Sequence, residues 1–188
     1  MKLNKIGRRI LIGVGIVIML FGAIFIYINY QNRNLSPPGS AELTNGTLTV
    51  SVNYSRPSVR GRIVFGKAEN GAIQPWGQYW RLGANEPTSM TINQNVTLNG
   101  KALAKGTYQL YAVPNESSFT IGINTEDRFW GYSEPNYEMD ILTTETPVIK
   151  NAHVEQHTIS LQKSGVDGVD LIVTFSDVKL NIPIRLAD

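Results

Sequence analysis

Val96-Thr97-Leu98-Asn99-Gly100-Lys101-Ala102-Leu103 sets an Asn-Gly pair between two short apolar runs. A two-residue turn with positive φ at both positions matches the twist of paired strands, and Asn-Gly adopts it at least cost. The stretch therefore predicts a β-hairpin. Working outward, the same pattern recurs. Leu48, Val50, Val52 and Tyr54 alternate with Thr, Ser and Asn, which predicts a half-buried strand. Residues 59–65, 78–82 and 88–92 are further candidate strands. Residues 107–113 form another, stopped by Pro114, and 119–123 alternate again. Residues 154–161, 169–175 and 178–184 close the chain, the last two joined by a turn at Ser176-Asp177. No segment after residue 30 sustains a 3.6-residue period. Short strands punctuated by Gly, Asn and Pro predict an all-β fold, an antiparallel β-sandwich of jelly-roll-like form.

The N-terminus follows a different pattern. Residues 10–28 are uncharged, and Lys2, Lys5, Arg8 and Arg9 precede them, whereas only Arg33 closely follows. As a helix the run would span about 28 Å, close to the roughly 30 Å hydrocarbon core of a bilayer. It is longer than the apolar region of a signal peptide, and no small-x-small cleavage pattern follows it. A retained transmembrane helix over 10–28 is predicted, with 1–9 as a basic cytoplasmic stub. The excess of cations before it puts the N-terminus inside the cell and the rest outside. The location implied is the inner membrane, with a periplasmic or extracellular C-terminal domain. Residues 29–46 contain Pro37-Pro38-Gly39-Ser40 and read as a linker, leaving 47–188 as the extracytoplasmic domain.

The 188 residues are 42% hydrophobic and 17% charged, which excludes a disordered or collagen-like chain. Residues 1–33 carry five basic residues and no acid; the remainder carries 12 basic against 15 acidic. That mildly acidic remainder argues against a nucleic-acid partner. The absence of cysteine excludes disulfides, thiolate metal sites, cysteine nucleophiles and a lipid-modified N-terminal cysteine.

Tyr54-Ser55-Arg56-Pro57-Ser58-Val59-Arg60-Gly61-Arg62 begins a more specific pattern. It continues through Phe65-Gly66, through residues 75–88 with Tyr79-Trp80-Arg81-Leu82-Gly83-Ala84-Asn85-Glu86 at their centre, and through Asn99-Gly100-Lys101, Gly106-Thr107-Tyr108, Val113-Pro114 and Trp130-Gly131. This succession resembles the bacterial domain of unknown function 2911, over about residues 47–184. The resemblance implies an exported or envelope-associated β-domain and implies no reaction.

The same segments hold the candidate site. If 56–62 is extended, even spacing sends Arg56, Arg60 and Arg62 to one face. Three like charges there need acids or an anionic ligand opposite. Arg81, Asn85 and Glu86 offer guanidinium, amide and carboxylate within six residues, flanked by Trp76 and Trp80. Such a set either contacts a polar ligand or holds a turn through a buried Arg–Glu pair with the tryptophans in the core. His153, Glu155 and His157 would share one strand face, yet the same parity continues into Ile159 and Leu161. The face runs into the core, and neither a metal nor a cofactor is expected. The aromatic loop Asp127-Arg128-Phe129-Trp130-Gly131-Tyr132 is expected to fold inward as a plug, because exposed aromatic patches are uncommon without a partner. The function favoured is a membrane-anchored module that binds a small polar ligand, glycan or envelope protein. Its rivals are a hydrolase-type enzyme with an Arg/Glu pocket and a purely structural interaction domain.

The charge asymmetry makes a topology test available. A reporter fused after Asp188 is expected to be active only if it works outside the cytoplasm. A mature protein beginning near residue 30 would show that the helix is a cleaved signal.

Overall fold

The computed structural model describes residues 5–128 and 130–187. It separates into two compact units, residues 1–35 and 36–188. The first is helix α1 (Lys5–Leu35), in which no side chain is buried. It is long and apolar enough to cross a membrane. The helix overruns the predicted 10–28 span at both ends. At its C-terminal end Asn29 Nδ2 donates to the Phe25 carbonyl at 3.0 Å and Gln31 Nε2 to the Tyr27 hydroxyl at 2.9 Å.

The second unit is the expected antiparallel β-sandwich. Its strands are β1 (Pro38–Asn45), β2 (Leu48–Ser55), β3 (Phe65–Gly66), β4 (Gln74–Pro75), β5 (Thr88–Ile92), β6 (Val96–Leu98), β7 (Lys101–Leu103), β8 (Gly106–Pro114), β9 (Ser118–Asn124), β10 (Asp140–Pro147), β11 (Ile149–Lys163) and β12 (Gly168–Leu186). One sheet runs β1-β2-β5-β8-β9-β10, the other β11-β12-β6-β7, and β3-β4 form a small parallel pair. The alternating residues Leu48, Val50, Val52, Leu110, Phe119, Ile121 and Ile123 of the first sheet meet Leu171, Val173, Phe175, Leu180, Ile182 and Ile184 of the second in one core. A sheet with one face on that core needs period-two apolarity, and those strands have it.

The Asn-Gly hairpin forms as predicted, with Asn99 at φ 48° and Gly100 at φ 80°. The turn also closes the seam between the sheets. Asn99 Nδ2 donates to Thr144 Oγ1 and to the Glu145 carbonyl, both at 2.8 Å, and Lys101 Nζ to the Thr143 carbonyl at 2.7 Å.

The candidate strand 78–82 is reduced to an isolated bridge between Trp80 and Ala112, and four further segments differ from the sequence expectation. The linker 29–46 is helix to Leu35 and strand from Pro38, because β1 is an edge strand and can form with little apolar content, completed by pairing with β2. Strand β10 carries the alternation Leu142, Thr144, Thr146 on its buried face, which polar threonines disguise. The turn at Ser176-Asp177 is instead a bulge in one continuous strand, β12, with Ser176 at φ 57°. The inward parity changes across it from 171, 173 and 175 to 180, 182 and 184, and on either side of Ser176 four residues of β11 span two of β12. Residues 59–65 reverse direction at Arg60 and Gly61, at φ 52° and 67°, so only Phe65–Gly66 pairs as strand.

His157 is enclosed in the core, with no exposed surface. Its Nε2 lies 3.0 Å from the Leu82 carbonyl, so that nitrogen carries the proton. Its ring packs edge-on to Tyr54, Trp80 and Phe175 at centroid distances of 5.4, 5.3 and 5.5 Å. Burial pushes its pKa down to about 3, and the neighbouring Arg56 adds to the fall against the opposing Leu82 hydrogen bond. The folded protein therefore holds His157 neutral, while the unfolded chain takes a proton near pH 6.5. The resulting stability is complete above pH 6.5. It is lost at about 1.4 kcal/mol per pH unit as pH falls towards 3. Denaturant titrations across that window should show His157→Asn with a flatter acid limb than the parent. Superimposable profiles would refute the assignment.

Candidate functional site

The structure scatters the three arginines of 56–62. Arg56 lies along β1, over Gly39, and donates to the His157 carbonyl at 3.4 Å and to Thr158 Oγ1 at 3.2 Å. The backbone N–H of Arg60 donates to Glu155 Oε1 at 2.9 Å. Arg62 braces its own turn through the Val59 and Ser58 carbonyls at 3.0 and 2.7 Å. The turn at Arg60-Gly61 removes the shared face that an extended strand would have provided.

The two motif segments nonetheless meet. Trp80 makes a two-way backbone bridge with Ala112 of β8, and Thr88 resumes pairing on the same strand at Leu110. Residues 81–87 are therefore a long excursion between two closely spaced pairings. Leu82 and Asn85 take φ 52° and 57° in it. Gly83 approaches the backbone of Ser55 so closely that an added Cβ would lie 3.0 Å from the Ser55 carbonyl. Ser55 Oγ in turn lies 3.5 Å from Glu86 Oε2. Trp80 does not offer a ligand its face. It is 2% exposed, its Nε1 donates to the Gly83 carbonyl, and it packs with Phe65, Phe119 and Phe175. Trp76 is half-buried.

The excursion and residues 125–128 and 130–139 are pinned to one another above the outer face of the six-stranded sheet. The Asn85 carbonyl accepts from the Gly131 N–H at 3.0 Å and from Arg81 Nη1 at 3.4 Å. Asn85 Nδ2 reaches the Ser36 carbonyl at 3.2 Å. Tyr79 Oη donates to the Gly131 carbonyl at 3.2 Å and accepts from Arg128 Nη2 at 3.2 Å. Arg128 also faces Glu126 at 3.4 Å, bonds Gln109 Oε1 at 3.3 Å and donates to the Ser133 carbonyl at 2.7 Å.

Below this wall sits a set of residues that the sequence reading passed over. Tyr111 stands on the outer parity of β8, opposite Gly122 of β9, and its ring fills the place where a Cβ on Gly122 would be. Its hydroxyl donates to Asp140 Oδ2, and Asn124 Nδ2 donates to Asp140 Oδ1 at 2.7 Å. Burial first, then the Asp140 bond, hold the Tyr111 hydroxyl well above its usual pKa. Burial and the Glu134 carboxylate push Tyr137 up to about 12. Both phenols stay protonated and act as structural donors. The signal for this arrangement was an aromatic residue on the polar parity of one strand and a glycine inside the next.

Residues 125–128 and 130–139 thus cover a sheet face rather than plug an end. Trp130 is half-buried, Tyr132 is 79% exposed, and Phe129 lies outside the described residues. Beside the covered area the face keeps an open cleft of about 340 Å³, with Ser89, Thr107, Gln109, Asn124, Glu126 and Asp127 among its lining. Neither histidine reaches it: His157 is in the core, and His153 stands exposed on β11, 3.4 Å from Glu155. The irregular pairing of β11 between Val154 and Thr158 separates His157 from the other two, so the predicted three-residue face does not form. A second hollow of about 300 Å³, lined by Thr47, Asn95 and Lys105 among others, lacks any connection to the two motif segments.

Arg81 is half-buried at the edge of the wall, with its guanidinium 5.6 Å from the centre of the Tyr132 ring. Burial lowers its pKa below the usual arginine value; Tyr79 and Tyr132 oppose the fall, and Arg128 adds to it. No carboxylate among the described residues forms an ion pair with it.

Comparison with family models matches residues 36–184 to the family described as "Protein of unknown function (DUF2911)". No curated protein and no solved structure matches the chain.

The Tyr111–Gly122 contact admits a direct test. Gly122→Ala should expel the Tyr111 ring and loosen its contacts with Tyr79 and Tyr137, destabilising the domain by about 1–3 kcal/mol. Shifts in the NMR signals of 125–139 should accompany the loss. Stability within about 0.5 kcal/mol of the parent and an unchanged spectrum would refute the packing.

Proposed function

We propose that this chain, which belongs to the DUF2911 family, is an extracytoplasmic binding module held at the inner membrane by its N-terminal helix. Its ligand is a small, hydroxyl-rich molecule, a sugar unit of an envelope glycan being the chemistry that fits best. The observation that carries this reading is the cleft on the outer face of the six-stranded sheet. That face needs no ligand to satisfy the fold, since the apolar core lies on the other side. Its lining is nonetheless a set of hydroxyl, amide and carboxylate groups, of the kind that orient a polar ligand. Glu126 and Asp127 accept from ligand hydroxyls, and Ser89 and Thr107 both donate and accept. Arg81 and Asn85 of the predicted site are outside the lining, bonded to one another and, through the Asn85 carbonyl, to Gly131 of the segment that supplies Glu126 and Asp127. Arg56 and Arg62 serve the scaffold, since backbone carbonyls take their guanidiniums. The helix supports the anchoring half of the reading by its length and apolarity.

The test is a titration of the full chain in lipid nanodiscs with monosaccharides and soluble envelope glycan fragments, followed by NMR. Saturable shifts should appear at Ser89, Gln109 and Asn124. Thr107→Trp, which fills the cleft from an exposed strand position, should weaken binding by about tenfold or more while leaving the melting temperature nearly unchanged. Absence of saturable shifts for every sugar offered would end the proposal.

A further inference from the structure

Arg81 has an incomplete set of partners. A guanidinium presents five N–H donors in a planar fork. Among the described residues Arg81 has one acceptor, the Asn85 carbonyl, at a long 3.4 Å. That carbonyl is already satisfied by the Gly131 N–H at 3.0 Å, so holding the loop does not require Arg81. The other arginines on the sandwich whose contacts are described are better served. Arg128 faces Glu126 at 3.4 Å, and Arg185 meets Asp170 at 2.7 Å. Arg62 has two backbone acceptors, and Arg56 has a backbone carbonyl and a threonine hydroxyl. A cation half withdrawn from water without a counter-charge is unfavourable. Arg128 lies close enough to lower the Arg81 pKa, but its own charge is paired with Glu126 and offers Arg81 no counter-charge.

The surroundings are arranged to hold this group in place. Its backbone leads into the excursion 81–87, whose Leu82 carbonyl is bonded by both Thr88 Oγ1 and His157 Nε2 at 2.8 and 3.0 Å. Gly131 packs against its side chain, so closely that an added Cβ would lie 3.1 Å from Arg81 Cδ. Tyr132, with 79% of its surface in solvent, lies alongside the guanidinium and offers a free ring face. Arg81 does not itself line the cleft; a relay through the Asn85 carbonyl, Gly131, Tyr79 and Arg128 joins it to Gln109 and Glu126, which do. A planar fork beside an aromatic ring matches an oxyanion carried on a hydroxyl-bearing ring.

We propose that the ligand of the cleft is an anionic sugar, its carboxylate or phosphate held by Arg81 and its ring covered by Tyr132. This rests on the reading of the cleft as a sugar site and adds the charge of the ligand. The full chain in nanodiscs is titrated with glucose, methyl glucuronate ester, glucuronate and glucose 6-phosphate. At low salt a charged sugar should bind about tenfold or more tighter than the two neutral ones, and added salt should narrow the gap. The tighter of glucuronate and glucose 6-phosphate identifies the oxyanion. Arg81→Gln should abolish the preference while leaving neutral sugars bound, Arg81→Lys should keep part of it, and Tyr132→Ala should weaken charged and neutral sugars alike. Thermal melts confirm that each variant is folded. Equal affinities for charged and neutral sugars, or a preference that survives Arg81→Gln, would overturn this proposal and leave the sugar site standing. Failure of all four to bind would overturn both.

Discussion

A single buried carbonyl organises the region where the candidate site lies. Leu82 has no exposed surface, and its C=O accepts from Thr88 Oγ1 and His157 Nε2. An unpaired carbonyl there would cost about 1–3 kcal/mol, so both of its partners are constrained in turn. His157 must sit in the core as the neutral form, inside a ring of Tyr54, Trp80 and Phe175. Thr88 must begin β5 directly after the excursion. With both ends fixed, residues 81–87 have little choice but to loop outward, which leaves Arg81 half-buried and Asn85 buried beneath it. Leu82 and Asn85 accept left-handed backbone angles that cost of order 1 kcal/mol or more each. That strain is tolerated because the surrounding hydrogen bonds over-determine it.

A β-sandwich requires one buried face per sheet. Here part of the second face of the six-stranded sheet is covered as well. Tyr111 lying over Gly122 fills the first layer, and Tyr79 and Tyr137 pack upon it at 5.8 and 5.6 Å. Asp140 ties the layer to Asn124 and so to β9. This outer cluster holds residues 125–128 and 130–139 over the sheet and ends where the cleft begins. The wall is therefore held from the sheet, and Tyr132 and Asp127 are among the groups exposed on it.

The edges of the sandwich are closed by the hairpin that first suggested the fold. Carbonyls of β10 left open at the sheet edge would invite pairing with another chain. Asn99 and Lys101 occupy three acceptors of that strand instead. At the opposite edge, Asn45 at the end of β1 donates to the Gly165 and Gly168 carbonyls at 3.1 and 2.8 Å, tying β1 to the turn between β11 and β12.

Sequence alone determined what depends on neighbours along the chain. The apolar run before residue 29 defines the helix, period-two alternation defines most strands, and Asn99-Gly100 defines the hairpin, because each is a local preference that burial only reinforces. The resemblance of the two motif segments to one family likewise needs only their order and spacing. Tertiary structure decided the rest. Strand β1 and the threonine face of β10 exist because a partner strand supplies their hydrogen bonds, which no local pattern announces. The parity change at Ser176 reads equally as a turn or a bulge until the facing strand is seen. Arg56, Arg60 and Arg62 share a face only if their segment is extended, and the reversal at Arg60-Gly61 disperses them. Tyr111, Gly122 and Asp140 come together across strands separated in sequence, so their packing is invisible to spacing. Whether an arginine is spent on the scaffold or left for a ligand is decided by the acceptors around it, and those arrive from distant parts of the chain only when the fold is complete.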